Sequence, residues 1–203
     1  AQQQENLHFI THPCLSPDGN TVVFTYENDL WQADTRQGKA YRLTAMEGIE
    51  SHSCFSPDGK WLAFSSTQNG NADIYVMPVA GGDIQQLTWH DADDHPESWT
   101  WDSQSIYFTS SRYNQFTTFR IAHQGGTPVR LFTNYFNTPH HMVEHPDEGS
   151  LYFTESWESY RFPQRKKYRG AHNPDIKSYN PTTGEYREHT TYEGKDMWPT
   201  IDR

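Results

Sequence analysis

Apolar positions in this chain come in short alternating runs. Four of them end in Phe: Val22-Val23-Phe24, Leu62-Ala63-Phe64, Ile106-Tyr107-Phe108 and Leu151-Tyr152-Phe153. Period-two alternation marks a β-strand, whose side chains point to opposite faces in turn. The four Phe residues stand 40, 44 and 45 residues apart. Ser16-Pro17-Asp18-Gly19 and Ser56-Pro57-Asp58-Gly59 precede the first two runs, and Trp101-Asp102 and Pro146-Asp147-Glu148-Gly149 precede the others. Such phrases make tight turns, because Pro presets φ, Asp bonds nearby backbone and Gly accepts a positive φ. Short strands at this period predict an all-β fold, a β-propeller of four-stranded antiparallel blades.

The second repeat reads as a whole blade. His52–Phe55, Lys60–Ser66, Asp73–Met77 and Ile84–Thr88 are its strands, separated by polar turns. Blades are expected over residues 12–44, 52–88, 95–133 and 139–190, with 191–203 starting another. The whole of 1–203 is then expected to form one propeller region, about four blades and part of a fifth, an incomplete part of a larger propeller. Glu5–Ile10 reads as a lead-in strand, and no helix longer than a turn is expected. The fourth strands end at Thr44, Thr88, Thr133 and Thr190, spaced 44, 45 and 57 residues apart, so the fourth repeat carries an insertion.

Composition narrows the classes. The formal net charge is −10 at pH 7, which argues against nucleic acid, since phosphate contacts want a basic surface. Mean hydropathy is −0.94, yet 15% of residues are aromatic, which fits a folded β protein with polar loops. No apolar run is long enough for a membrane-spanning helix. The opening Ala1-Gln2-Gln3-Gln4 reads either as a mature end left by signal-peptide removal or as a chosen boundary, and a periplasmic or secreted location is expected. Cys14 and Cys54 hold the same repeat position, and both are expected as small buried apolar residues, not a bridge.

The run Ser56-Pro57-Asp58-Gly59-Lys60-Trp61-Leu62-Ala63-Phe64, with Asp73-Ile74-Tyr75-Val76 and Gln86-Leu87-Thr88, resembles the blades of TolB, tricorn-type serine peptidases and prolyl-oligopeptidase relatives. Phe162-Pro163-Gln164-Arg165, Tyr168–Ile176 and Tyr192–Pro199 narrow the resemblance to the first propeller of bacterial tricorn-like peptidases. Lys177 departs from it, standing where an aromatic residue is usual after Asp-Ile. The resemblance implies a non-catalytic region that gates or orients peptides and helps assemble a larger peptidase. The peptidase residues of such proteins lie in a separate C-terminal region, so no catalytic residue is assigned here. The alternatives are a TolB-like envelope propeller that binds protein, and the propeller of a prolyl-oligopeptidase-type enzyme.

No Gly-x-Ser-x-Gly elbow occurs, and no cofactor or metal is expected. His90-Asp91-Ala92-Asp93-Asp94-His95 reads as a solvated linker, and His141 as a packed histidine near a blade start, like His52. The strongest site candidate is the insertion. Arg161, Arg165, Lys166, Lys167 and Arg169 gather five of the chain's 16 basic residues. Such a cluster suits a peptide carboxylate or an acidic partner through charge-assisted hydrogen bonds. Its competing reading is a solvated hairpin or docking surface. Exposed blade edges are expected to allow self-association.

Overall fold

The structure, a computed structural model, describes residues 9–165, 169–170 and 172–201. Four sheets follow in order along the chain. The first holds β1 (Thr11–Leu15), β2 (Thr21–Tyr26), β3 (Asp29–Asp34) and β4 (Ala40–Arg42). The second holds β5 (Glu50–Phe55), β6 (Trp61–Ser66), β7 (Asp73–Pro78) and β8 (Gln85–Gln86). The third holds β9 (Asp94–Trp99), β10 (Ser105–Ser110), β11 (Thr117–Ala122) and β12 (Val129–Arg130). The fourth holds β13 (Pro139–Glu144), β14 (Leu151–Glu155), β15 (Asp175–Tyr179) and β16 (Tyr186–Glu188). Each sheet is an antiparallel meander in chain order, as a propeller blade requires. One short helix, α1 (Trp157–Arg161), sits in the insertion between β14 and β15 and slightly exceeds the single turn expected. Most of the expected lead-in strand lies outside the described residues, and Phe9 and Ile10 are not in a strand.

The turn phrases work through one hydroxyl. Ser16 Oγ donates to Asp18 at 2.6 Å and accepts from Thr21 N at 2.9 Å. Ser56 repeats this with Asp58 at 2.7 Å and Trp61 N at 2.9 Å, and Thr100 with Asp102 at 2.6 Å and Ser105 N at 2.9 Å. The left-handed position is Gly19 or Gly59 in the first two turns and Ser103, φ 60°, in the third. The repeated terminal Thr also has a physical role. Thr44, Thr88 and Thr190 each accept the second amide of a third strand, from Leu30, Ile74 and Ile176, at 2.9 Å.

Apolar faces meet between blades. Val23, Leu30, Leu62, Phe64 and Tyr75 fill the space between blades one and two. Ala63, Ile74, Val76, Trp99, Ile106 and Phe108 do so between blades two and three. Tyr107, Phe132, Met142, Leu151 and Phe153 join blades three and four. Each fully buried large side chain contributes about 2 kcal/mol from burial alone. This is the stacking expected for the aromatic positions.

The first strands are adjacent around the axis, β1 to β5, β5 to β9 and β9 to β13. Three of them break register, between Thr11 and Cys14, Ser51 and Cys54, and His140 and Val143. At each break a His is left-handed: His12 (φ 49°), His52 (φ 53°) and His141 (φ 53°). His is among the non-Gly residues that tolerate this region. Pro96 holds the same place in β9, where its ring forbids positive φ, and the irregularity falls beyond it, opposite Tyr107 and Phe108. Trp198, φ 60°, takes the position in the following repeat.

Candidate functional site

The bulged first strands line an axial cavity of about 880 Å³. Its wall includes His12, Pro13, His52, Ser53, His95, Pro96, Glu97, His141, Tyr160 and Trp198. A second cavity of about 260 Å³ shares Glu97 and Val143 with it and reaches Cys14, Cys54 and Trp101 at the ends of the same strands. The two therefore follow one another along the axis. In an antiparallel meander, the connections from fourth to first strands and from second to third strands emerge at one end of the blades. The wide cavity opens at that end, called the mouth here.

Three imidazoles from three blades stack along the wall. Ring centres are 4.0 Å apart for His12 and His52 and 4.4 Å apart for His52 and His95. Serine hydroxyls link two of them: Ser51 Oγ lies 2.9 Å from His52 Nδ1 and 3.2 Å from Ser65 Oγ, itself 3.4 Å from His95 Nδ1. Burial holds all three below the usual imidazole range, and in His52, pushed down to about 3, the neighbouring His95 and His12 add to the effect. Burial likewise puts His141 at about 4. The ring wall is thus uncharged at neutral pH.

Polar capacity remains in this wall. Trp198 Nε1 donates to His141 Nε2 at 3.1 Å, which leaves the proton of neutral His141 on Nδ1. That buried Nδ1 has no partner among the described residues, nor has Ser53 Oγ, although Ser53 is only 8% exposed. Glu97 is different: its carboxylate accepts from Thr109 Oγ1, from His141 N at 2.6 Å and from Met142 N at 3.0 Å. It ties blade three to blade four, and burial pushes its pKa up. A wall of neutral imidazole and proline, with an N–H donor and a hydroxyl to offer, suits the alternating amides of an extended peptide.

The insertion stands over this mouth. Ser156 caps α1 by accepting from Glu158 N and Ser159 N. Tyr160 stacks on Phe116 with ring centres 4.1 Å apart and lines the cavity. Ser159 Oγ lies 3.0 Å from His140 Nε2, whose Nδ1 meets the Thr138 carbonyl at 2.8 Å. Both residues are fully buried, so this pair anchors α1 and presents no open nucleophile. Glu158, 1% exposed, faces Lys195 at 2.8 Å and Arg165 at 3.7 Å.

The basic cluster is only partly gathered. Arg161 is exposed at the end of α1, and Arg169 pairs with Glu193 at 3.2 Å on the surface. Lys166 and Lys167 lie outside the described residues. His145 caps its own turn, accepting from Asp147 N and Glu148 N at 3.2 Å. No group of three metal-ligating side chains occurs among the described residues. Cys14 and Cys54 are free and half-buried, not fully buried as expected; both line the narrow cavity, and Cys54 also packs against the core between blades two and three. Burial raises both thiols, which keeps them protonated and unreactive. The imidazole stack was missed from sequence, although His12 and His52 stand 40 residues apart, the repeat spacing.

A blade array around an axial cavity defines a β-propeller. Residues 7–203 match the family described as the tricorn protease N-terminal beta propeller domain, and the chain belongs to that family. It is 37% identical over 91 residues to tricorn protease homolog 1 of Streptomyces coelicolor, covering 44% of this chain and 8% of that protein. The matched stretch therefore spans less than a tenth of that relative. The crystal structure of the tricorn protease superposes with a TM-score of 0.78 at 17% identity, covering 96% of this chain and 19% of that one. TolB from Acinetobacter baumannii gives 0.69 at 22% identity, covering 89% and 43%. At these identities the two structures speak for the fold.

Proposed function

We propose that this chain is the non-catalytic propeller region of an exported tricorn-like peptidase, where it admits and orients peptides for a hydrolytic region elsewhere in the same polypeptide. The observation that carries this reading is the axial cavity, with its uncharged imidazoles and the unpartnered Ser53 Oγ and His141 Nδ1. A passage for many sequences wants backbone-directed groups, and the Glu97 carboxylate in its wall is already taken up by Thr109 Oγ1 and the His141 and Met142 amides. The insertion at its mouth supplies cationic groups, Arg161, Arg165 and Arg169 among the described residues. These would meet a peptide carboxylate or acidic partner, with a strength that falls as salt screens exposed charge beyond ~8 Å. The periplasmic or secreted location belongs to the same proposal, and cell fractionation tests it.

In the full-length parent, changing Arg165, Lys166, Lys167 and Arg169 to Gln should slow hydrolysis of peptides with a free C-terminus more than of amidated ones. Equal slowing of both, or none, would remove the carboxylate-orienting role.

A further inference from the structure

Three successive linkers at the mouth are built alike. In each, one Asn side chain bridges two carbonyls of the following linker. Asn71 Nδ2 donates to the His90 and Ala92 carbonyls at 2.8 and 3.1 Å. Asn114 Nδ2 donates to the Tyr135 and Asn137 carbonyls at 3.0 and 2.9 Å. Asn173 Nδ2 donates to the Tyr192 carbonyl at 3.1 Å and also to the Gly194 carbonyl. The first linker has no such clamp among the described residues; there Gly48 (φ 97°) packs so closely that an added Cβ would lie 2.8 Å from Gln68 N.

Each clamped linker holds an aromatic ring out in water. Trp89 is 69% exposed, Phe136 88% and Tyr192 68%. The clamp fixes the backbone that carries each ring. Rigid exposed aromatic rings are the usual anchors of protein recognition, because little conformational freedom is lost when they are covered. The opposite end of the blades carries the polar Ser-Pro-Asp-Gly turns instead. Exposed acidic side chains, Asp91 and Asp93, follow Trp89, whereas Glu193 after Tyr192 is already paired with Arg169. Asp93 also fixes its linker by accepting from Ala72 N at 3.0 Å.

We infer that the mouth carries a docking surface for a cationic polypeptide segment, whose Arg or Lys side chains lie over Trp89 and Phe136 and pair with Asp91. Cations are attracted to the faces of aromatic rings, Trp most strongly, and the chain's net charge of −10 draws such a segment in. This goes beyond the axial cavity, and neither depends on the other.

The test uses two fluorescein-labelled decapeptides, alternating Gly-Arg and alternating Gly-Glu, titrated with the 203-residue chain and followed by anisotropy. The Gly-Arg peptide should bind and the Gly-Glu peptide should not. Trp89→Ala and Phe136→Ala should each weaken binding about five-fold or more, with unchanged melting temperature, since both rings are exposed. Asp91→Asn should weaken it and flatten its salt dependence. Binding of the Gly-Arg peptide that ignores the two ring variants would reveal diffuse charge attraction and overturn the proposal. So would absence of binding, or equal binding of both peptides.

Discussion

At the scale of single residues, the axial histidines carry the clearest consequence. His52 and His140 sit near 3 and His141 near 4, each depressed first by burial. An unfolded His titrates near 6.5, so between that value and the folded one the unfolded chain binds more protons. Stability is then fully present above about pH 6.5 and is lost as pH falls, by up to about 1.4 kcal/mol per unit for each such His. Glu50 works the other way: burial raises it to about 6, so its charged form weakens the fold above that pH. The three strongly depressed histidines set the direction, which Glu50 and the other carboxyls raised by burial, Glu97 and Asp175 among them, partly offset. Chemical denaturation should show stability falling steadily from pH 6.5 to 4.5. His52→Asn, which tolerates the left-handed backbone, should make that fall shallower by about one proton. An unchanged slope in this variant would mean that the stacked rings do not control acid sensitivity.

At the scale of elements, the repeats explain each other. Asp29 at the start of β3 pairs with Arg42 at 2.7 Å, and Asp73 meets Gln86, thirteen residues on in each case. In blade four the corresponding residue is Glu188, and burial and this carboxylate together raise Asp175. Glu188→Arg should restore the pair and stabilise the chain by about 0.5–1 kcal/mol, read as a rise in melting temperature; a fall would show that the blades are not equivalent here. The insertion makes a second case. Lys195 Nζ meets the buried Glu158 carboxylate and donates to the Phe162 carbonyl at 2.7 Å. Lys195→Ala leaves that carboxylate without its closest cation and should cost about 3 kcal/mol. Adding Glu158→Gln should recover much of the loss, and a simple sum of the two single effects in a double-mutant cycle would contradict the buried pair.

The same elements show how far the sequence could be read. Blade number, strand order and turn chemistry are local: Phe spacing and the Ser-Pro-Asp-Gly phrases carry them within a few residues. The cavity is not local. Its wall takes one or two residues from each first strand, and His52 meets His12 and His95 only because the blades wrap an axis. The Asn clamps were also hidden, since Asn71 and His90 are far apart in sequence and Asn reads simply as a loop residue. In the insertion the run of basic residues drew the eye, while the contacts that fix α1 come from Ser159, Tyr160 and Glu158, which look ordinary in sequence.

At the scale of the whole molecule, the two ends of the blades differ. One end closes on polar turns and a narrow cavity. The other gathers the wide cavity, the insertion and the clamped aromatic linkers. The proposed peptide-orienting role rests on this asymmetry, because the wide cavity and the insertion share one end. The most direct test is one sample measured twice. An unstructured, uncharged decapeptide is titrated into the chain while Trp fluorescence is followed, since Trp198 lines the cavity, and the same mixture is then analysed by mass spectrometry. The account predicts saturable binding that Ser53→Phe abolishes by filling the cavity, with melting unchanged and the peptide recovered intact. Cleavage by repurified chain, or binding indifferent to Ser53→Phe, would contradict it.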